Sequence, residues 1–283
     1  MLSLYKSLKF IFRHLLPKRS RYTVARAFAR MVIFMNRPRR QLLLSNLTPL
    51  VGLPRAQELA PVLLGNFSMT AVDFFCPRSS VVKSIKEENT QVIEKSWRKT
   101  RRVILVTAHI GNWELGISYL VHKGFSVAGV YAPYREDNVV RWILAHRNQD
   151  VEWIPASRGA AQASIDALRR GRLLGMVGDI PFGEKGRRVT IAGKSARLPL
   201  GPWAIAIRAE ATVLPSFIIR ESPGRYRVII HDPIMPPTEG SFRSQMETMQ
   251  EAYRAHLEKY LLKYPEQWGV LQPFWEKPDK TTP

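Results

Sequence analysis

Four short apolar runs in the middle of the chain constrain its fold more than any other feature of the sequence. Residues 103–106, 126–131, 151–154 and 173–177 are each of strand length, and helix-length segments at 112–122, 137–148 and 160–170 separate them. Strands that are apolar throughout are buried on both faces, and strand–helix–strand alternation builds a parallel sheet covered by helices. Gly171 follows the third helical segment in the position of a C-terminal cap. Further on, a short run at 189–191, a helix around 200–209, strands near 213–219 and 226–231, and a long closing helix at 246–264 continue the pattern. The 283 residues, 45% of them hydrophobic, suit one large α/β domain with a short appendage.

Polar residues begin where the first apolar run stops, in Thr107-Ala108-His109-Ile110-Gly111-Asn112-Trp113-Glu114-Leu115-Gly116. The carboxyl ends of strands are where open α/β sheets place their chemistry. On one continuous helix His109 and Glu114 would stand about 140° apart and share no face. They meet if His109 lies in the turn and Glu114 in the first helical turn, with Gly111 letting the chain fold back. Glu114 would then orient one imidazole nitrogen and leave the other as a base. A structural histidine at a strand end fits the same spacing.

Net charge separates this chain from an ordinary enzyme: 43 Lys and Arg against 23 Asp and Glu give +20. Such an excess implies a polyanionic partner, either nucleic acid or an anionic membrane. Its distribution favours the membrane. Residues 1–57 contain twelve Lys and Arg and no acidic residue. Leu4, Tyr5, Leu8, Ile11, Phe12 and Leu15 recur at helical spacing, with Lys6, Lys9 and Arg13 mostly off that face, and Pro17 ends the segment. Val24, Phe28, Met31 and Met35 form a second stripe beside Arg26 and Arg30. Apolar residues under a cationic face suit helices lying in a lipid interface, whereas aromatic-interleaved basic strands, as in single-strand nucleic-acid binders, are not evident. These runs are too short to span a bilayer, and no signal-peptide pattern is present. A further helix runs from 55 to 75 and ends at Pro77, and 85–100 reads as a short strand or loop and a surface helix. The expected division is a basic helical membrane-contact extension at 1–57 and a catalytic domain at 58–283. The single cysteine, Cys76, excludes an internal disulfide.

Several chemistries lack their residues. Gly193-Lys194-Ser195 resembles the end of a phosphate-binding loop, but Arg188 stands where that loop requires Gly. There is no Gly-x-Ser-x-Gly elbow, no strand-linked Gly-x-Gly-x-x-Gly, and no His-Glu-x-x-His or Cys/His cluster for zinc. A His–Glu pair without nucleophile or metal suits direct transfer, in which the imidazole takes a proton from an attacking hydroxyl. Arg135, Arg141, Arg147 and Arg158 are candidates to balance a developing oxyanion.

The block His109-Ile110-Gly111-Asn112-Trp113-Glu114-Leu115-Gly116 resembles the signature of the lipid A late (lauroyl/myristoyl) acyltransferase family. The similarity continues through Val130-Tyr131-Ala132-Pro133, Asn138 to Arg147, Arg158-Gly159-Ala160, Leu168 to Gly171, Gly178-Asp179, Ala192 to Ser195 and Leu200 to Ala204. A second distinctive block closes it, Tyr264-Pro265-Glu266-Gln267-Trp268 with Trp275. The resemblance implies a mixed central sheet with a glycerolipid-acyltransferase-like core. It also implies a His-x4-Glu dyad with His109 as general base and Glu114 as its orienting carboxylate. Asn112, Arg147, Arg158 and Asp179 are implied as substrate-binding residues, with Arg141 a rival to Arg147 and a structural acceptor role the alternative for Asp179. No cofactor is implied; acyl-CoA or acyl-carrier protein is the co-substrate. The implied partners are an anionic membrane surface, the acyl carrier and a phosphorylated glycolipid, not nucleic acid. The implied place is the cytoplasmic face of a bacterial inner membrane. Two positions depart from the family pattern: Ile180 where Gln usually follows the aspartate, and Arg197 where Thr is common. A lysophospholipid or phosphatidylinositol mannoside acceptor fits the same dyad.

Overall fold

A computed structural model of the chain describes residues 2–17, 20–76, 79–133, 137–147, 150–183 and 186–276. Helix α1 (Leu2–Phe10) runs into a π-helical turn (Ile11–Leu15), followed by α2 (Arg21–Met35), α3 (Arg37–Val51), α4 (Leu53–Phe75) and α5 (Ser79–Lys83). Then come β1 (Lys86–Glu88), α6 (Gln91–Thr100), β2 (Val103–Thr107), α7 (Trp113–His122), β3 (Val127–Tyr131), α8 (Asp137–His146), β4 (Glu152–Pro155), α9 (Ala160–Arg169) and β5 (Leu173–Val177). The chain ends with β6 (Gly186–Ile191), β7 (Lys194–Pro199), α10 (Gly201–Ala209), β8 (Thr212–Ser222), β9 (Arg225–Ile230), α11 (Phe242–Lys263) and a 3-10 turn (Pro265–Gln267).

Seven strands form one sheet in the order β1-β9-β8-β2-β5-β3-β4, and β6 and β7 form a separate hairpin. The pairs β8–β2, β2–β5, β5–β3 and β3–β4 are parallel, while β8–β9 is antiparallel. The sheet is therefore mixed, as the sequence implied. In β2, Ile104 and Val106 face a core built with Trp203, Tyr253 and Leu257, and Val103 and Leu105 face a second core with Leu115, Tyr119 and Ile218. That alternation is the two-residue period of a strand buried on both sides.

Helices α2, α3 and α4 form a third apolar cluster around Ala29, Ile33, Leu43, Leu47 and Leu63. The boundary expected at 57/58 falls inside α4. Two helices read from the N-terminal sequence become three: Pro38 sits in the first turn of α3, where proline is tolerated, and the helix continues past Pro49 near its end. The Gly193-Lys194-Ser195 stretch belongs to a hairpin: Ala192 and Gly193, with φ of 48° and 72°, form its turn, and Lys194 and Ser195 open β7, paired with β6. Pro77 and Arg135 lie outside the described residues.

Helix α4 crosses the turn that follows β2, and this sets the position of the site. Its Thr70 Oγ1 donates to the Gly111 carbonyl at 3.3 Å, and Asn66 Nδ2 donates to the Glu266 carbonyl at 2.8 Å. Gly111 has φ of 66°, and a Cβ there would lie 1.8 Å from the Ile218 carbonyl oxygen. Backbone conformation and space both demand glycine. Gly111→Ala is expected to lower stability by about 2 kcal/mol or more, read as a shift of the urea midpoint; an unchanged midpoint would contradict this packing.

Candidate active site

The register of two parallel strands creates the site. Thr107 of β2 stands opposite Val177 of β5, so His109 and Asp179, each two residues further on, leave the sheet side by side. Gly178 makes the approach possible: its N–H donates to the Thr107 carbonyl at 2.7 Å, and a Cβ there would meet Val106 Cγ1 at 2.6 Å.

Asp179 is fully buried and clasps His109 twice. Its Oδ1 lies 2.9 Å from His109 Nδ1, and its Oδ2 accepts the His109 backbone N–H at 3.0 Å. The indole N–H of Trp268 donates to the same Oδ2 at 3.1 Å. An ionised carboxylate only accepts, so Nδ1 carries the proton of this bond. Burial works against the charged form of both groups, but their mutual attraction prevails. Burial pulls the His109 imidazole down, yet the Asp179 charge and hydrogen bond, with Glu114 behind them, leave its pKa raised above 6.5. Burial pushes Asp179 up, yet His109 and the bonds from its backbone and from Trp268 leave its pKa below 3.8. His109 Nε2 has no hydrogen-bond partner among the described residues, and the side chain is 29% exposed. Trp113 meets the imidazole edge-on, with ring centroids 4.9 Å apart.

The carboxylate on His109 is therefore Asp179, and the orienting role expected of Glu114 is corrected accordingly. Glu114, in the first turn of α7, forms an ion pair with Arg147, and its charge acts on His109 without bonding it. Arg147 follows α8 and lies over the Trp153 ring with its Cζ 4.3 Å from the centroid. Its rival Arg141 is exposed and bonds Asn138 of its own helix at 2.6 Å. Arg158 is exposed just before α9. Asn112 is buried, and its amide donates to Asp73 at 3.0 Å, so it does not face a substrate as expected. Nor does Asp179 reach one, since it has no exposed surface. The geometry of Asp179 is that of the structural acceptor offered as the alternative: it takes the His109 backbone N–H and the Trp268 indole N–H.

The second sequence block explains itself in this geometry. Gln267, Trp268 and Gly269 run antiparallel beside the turn that follows β2. Gly111 N–H donates to the Gln267 carbonyl at 3.0 Å, and Gly269 N–H donates to the His109 carbonyl at 2.7 Å. A buried group escaped sequence reading: Asp73 with Arg220 and Tyr226, packed beneath Asn112. Its signal was a charged residue set against an apolar run in each of two elements, Asp73 in α4 and Arg220 in β8. Among the described residues no group of three or more His, Cys, Asp or Glu is placed to hold a metal ion.

A family model described as bacterial lipid A biosynthesis acyltransferase matches residues 3–277. A phosphatidylinositol mannoside acyltransferase of Mycobacterium tuberculosis (strain CDC 1551 / Oshkosh) is 22% identical over 177 residues, covering 61% of this chain and 54% of that protein. The similarly named protein of Mycolicibacterium smegmatis is 22% identical over 179 residues, covering 62% of this chain and 57% of its own length. The chain thus spans little more than half the length of these relatives. The crystal structure of the 1-acyl-sn-glycerophosphate acyltransferase PlsC from Thermotoga maritima aligns over 86% of this chain and 98% of that one, with 16% identity and a TM-score of 0.40.

The raised His109 and depressed Asp179 values tie the pair to pH. The His109 contribution to stability is complete below 6.5 and is lost as pH rises through its raised folded value. The Asp179 contribution is present above 3.8 and is lost as pH falls through its depressed folded value. Asp179→Asn leaves the burial of His109 unopposed by its main partner, so the imidazole midpoint followed by NMR is expected to fall. An unchanged midpoint would refute the pairing.

Proposed function

The chain belongs to the bacterial lipid A biosynthesis acyltransferase family, and from that premise we propose that it moves a fatty acyl chain from an acyl thioester to a hydroxyl of a phosphorylated glycolipid at a membrane surface. The observation that carries this reading is the His109 imidazole: Asp179 fixes Nδ1, and Nε2 is left unbonded at a partly open surface.

The chemistry follows from that tautomer. Nε2 takes the proton of the acceptor hydroxyl as its oxygen attacks the thioester carbonyl. The buried Asp179 carboxylate stabilises the imidazolium that forms. Negative charge gathers on the carbonyl oxygen of the tetrahedral intermediate. Arg147, aimed by Glu114 and backed by Trp153, is the favoured cation for that oxyanion or for a phosphate. The intermediate collapses by breaking the C–S bond, and the leaving thiolate takes the proton from His109. Acyl-CoA or acyl-carrier protein supplies the activated carbonyl, so the enzyme needs no covalent nucleophile.

The acceptor favoured by the family is a lipid A precursor. The mycobacterial relatives favour a second acceptor class, a phosphatidylinositol mannoside. Labelled acyl-CoA and acyl-carrier protein offered with each glycolipid separate the two. His109→Ala is expected to lower transfer by at least about 1,000-fold while the protein stays folded, measured by product formation on thin-layer plates. Near-normal transfer by folded His109→Ala protein would sink the base assignment.

The membrane part of the proposal rests on α2. Its face carrying Ala25, Ala29 and Ile33 is buried, while Val24, Phe28, Met31, Phe34 and Met35 are exposed, Phe34 by 85% and Met35 by 76%. Arg26, Arg30, Arg37, Arg39 and Arg40 are exposed around them. Apolar side chains ringed by guanidinium groups suit the boundary between acyl chains and lipid phosphates. No helix of the described residues is long and apolar enough to cross a membrane. The double substitution Phe34→Ala, Met35→Ala is expected to weaken binding to anionic liposomes about tenfold or more, given about 1.5 kcal/mol per buried side chain. Flotation checks this, and undiminished binding would remove α2 from the interface.

A further inference from the structure

Asp73 lies near the end of α4 in Ala71-Val72-Asp73-Phe74-Phe75, a setting in which a charge is costly to bury. Its carboxylate is nonetheless buried, and it binds parts of the chain distant in sequence. Oδ1 accepts from the Tyr22 hydroxyl of α2. Oδ2 accepts from the Tyr226 hydroxyl of β9, from Arg220 Nη1 of β8 at 3.3 Å, and from Asn112 Nδ2 at 3.0 Å. Burial and the Asp73 charge both hold the two tyrosine hydroxyls in their neutral, donating form, against the pull of Arg220.

The same group also grips the backbone of the turn after β2. Arg220 Nη2 donates to Thr70 Oγ1 at 2.9 Å, and Thr70 in turn donates to the Gly111 carbonyl. The Gln267 side chain accepts the Arg220 N–H at 2.9 Å and donates to the Arg220 carbonyl at 3.0 Å, while its backbone carbonyl holds the Gly111 N–H. Side chain and backbone of Gly111-Asn112 thus end on one buried cluster. His109 stands just before that pair, and Glu114 just after it.

Stability alone does not account for this arrangement. A buried ion pair is often no more stabilising than apolar residues of the same volume. Asn112 Oδ1 and Arg220 Nε are also buried without a partner among the described residues. Asn112 occupies the N-cap position of α7, yet its side chain makes no capping bond and is turned to Asp73 instead.

We propose that Asp73 is a positioning residue for acyl transfer: through Asn112 it sets the turn that places His109 against Asp179 and Glu114 against Arg147. It touches no reacting atom. The proposal rests on the acyl-transfer reading only for its kinetic readout.

The test is an exchange of partners in the full-length chain. Asn112→Asp keeps the shape and the capping ability of the side chain but sets two carboxylates against each other. The expected result is a kcat lower by about 10- to 100-fold, with KM within about twofold, in protein of near-wild-type Tm. The double variant Asp73→Asn, Asn112→Asp restores a donor facing an acceptor and keeps one carboxylate beside Arg220, and it is expected to recover most of the lost kcat. A fully active Asn112→Asp protein, or a folded double variant no better than Asn112→Asp alone, would overturn the proposal. A second readout needs no turnover. In Asn112→Ala, where the turn relaxes and Glu114 draws away, the His109 midpoint followed by NMR is expected to fall toward its ordinary value, and an unmoved midpoint would overturn the proposal. A wild-type chain that transfers no acyl group would defeat the functional reading instead, and this titration would then decide the positioning role by itself.

Discussion

The buried carboxylate of Asp179, gripping both the ring and the backbone of His109, is the interaction on which the rest of the site depends. One oxygen holds the imidazole and the other holds the peptide that carries it, so both the rotation and the position of the ring are restrained. The indole of Trp268 completes the coordination of that second oxygen. A carboxylate stripped of water is tolerated only when such partners replace it, so the clasp and the packing of Trp268 stand or fall together. The strand register of β2 on β5 brings the two residues level, and glycine at 178 lets the strands' ends approach.

Around that clasp the molecule divides its polar interactions by depth. Deep groups serve position: Asp73 with Arg220, Gln267 with Gly111, and Asn46 of α3, whose amide holds the Val270 and Gln272 carbonyls. The excess of +20 is carried largely by solvated arginines and lysines. The arginines around the exposed face of α2 lack nearby acidic residues in sequence, whereas many guanidinium groups elsewhere are paired, as Arg170 and Arg172 are with Glu152. An ion pair at the surface contributes little stability, so unpaired charge concentrated on one helical layer bears on what the protein meets rather than on how it folds.

Much of this was legible in the sequence because it is local. Short apolar runs gave the strands, and the three- to four-residue recurrence of Val24, Phe28, Met31 and Met35 marked a face that the structure leaves exposed. The turn after β2 stood out in the sequence because polar residues begin where the first apolar run stops. What escaped were facts of register and long-range contact. Glu114 is five positions from His109 and Asp179 is seventy, yet strand pairing, not proximity along the chain, chooses the partner of the imidazole. The family resemblance implied a substrate-binding role for Asp179 rather than a place beside His109, since a list of motifs carries no adjacency. Asp73 and Arg220, 147 positions apart, were hidden for the same reason. Each looked like a stray charge in an apolar element until the fold brought them together. The helix α3 was not read from the sequence, whose residues 37–51 carry two prolines.

The tautomer of neutral His109 tests the central claim most directly. Long-range proton–nitrogen NMR correlations of the imidazole, recorded above its raised pKa, distinguish a proton on Nδ1 from one on Nε2. Ionised Asp179 requires the proton on Nδ1, leaving Nε2 with its lone pair toward the open side. A proton on Nε2, or averaging between the two as in a free side chain, would contradict the clasp and with it the assignment of His109 as the base.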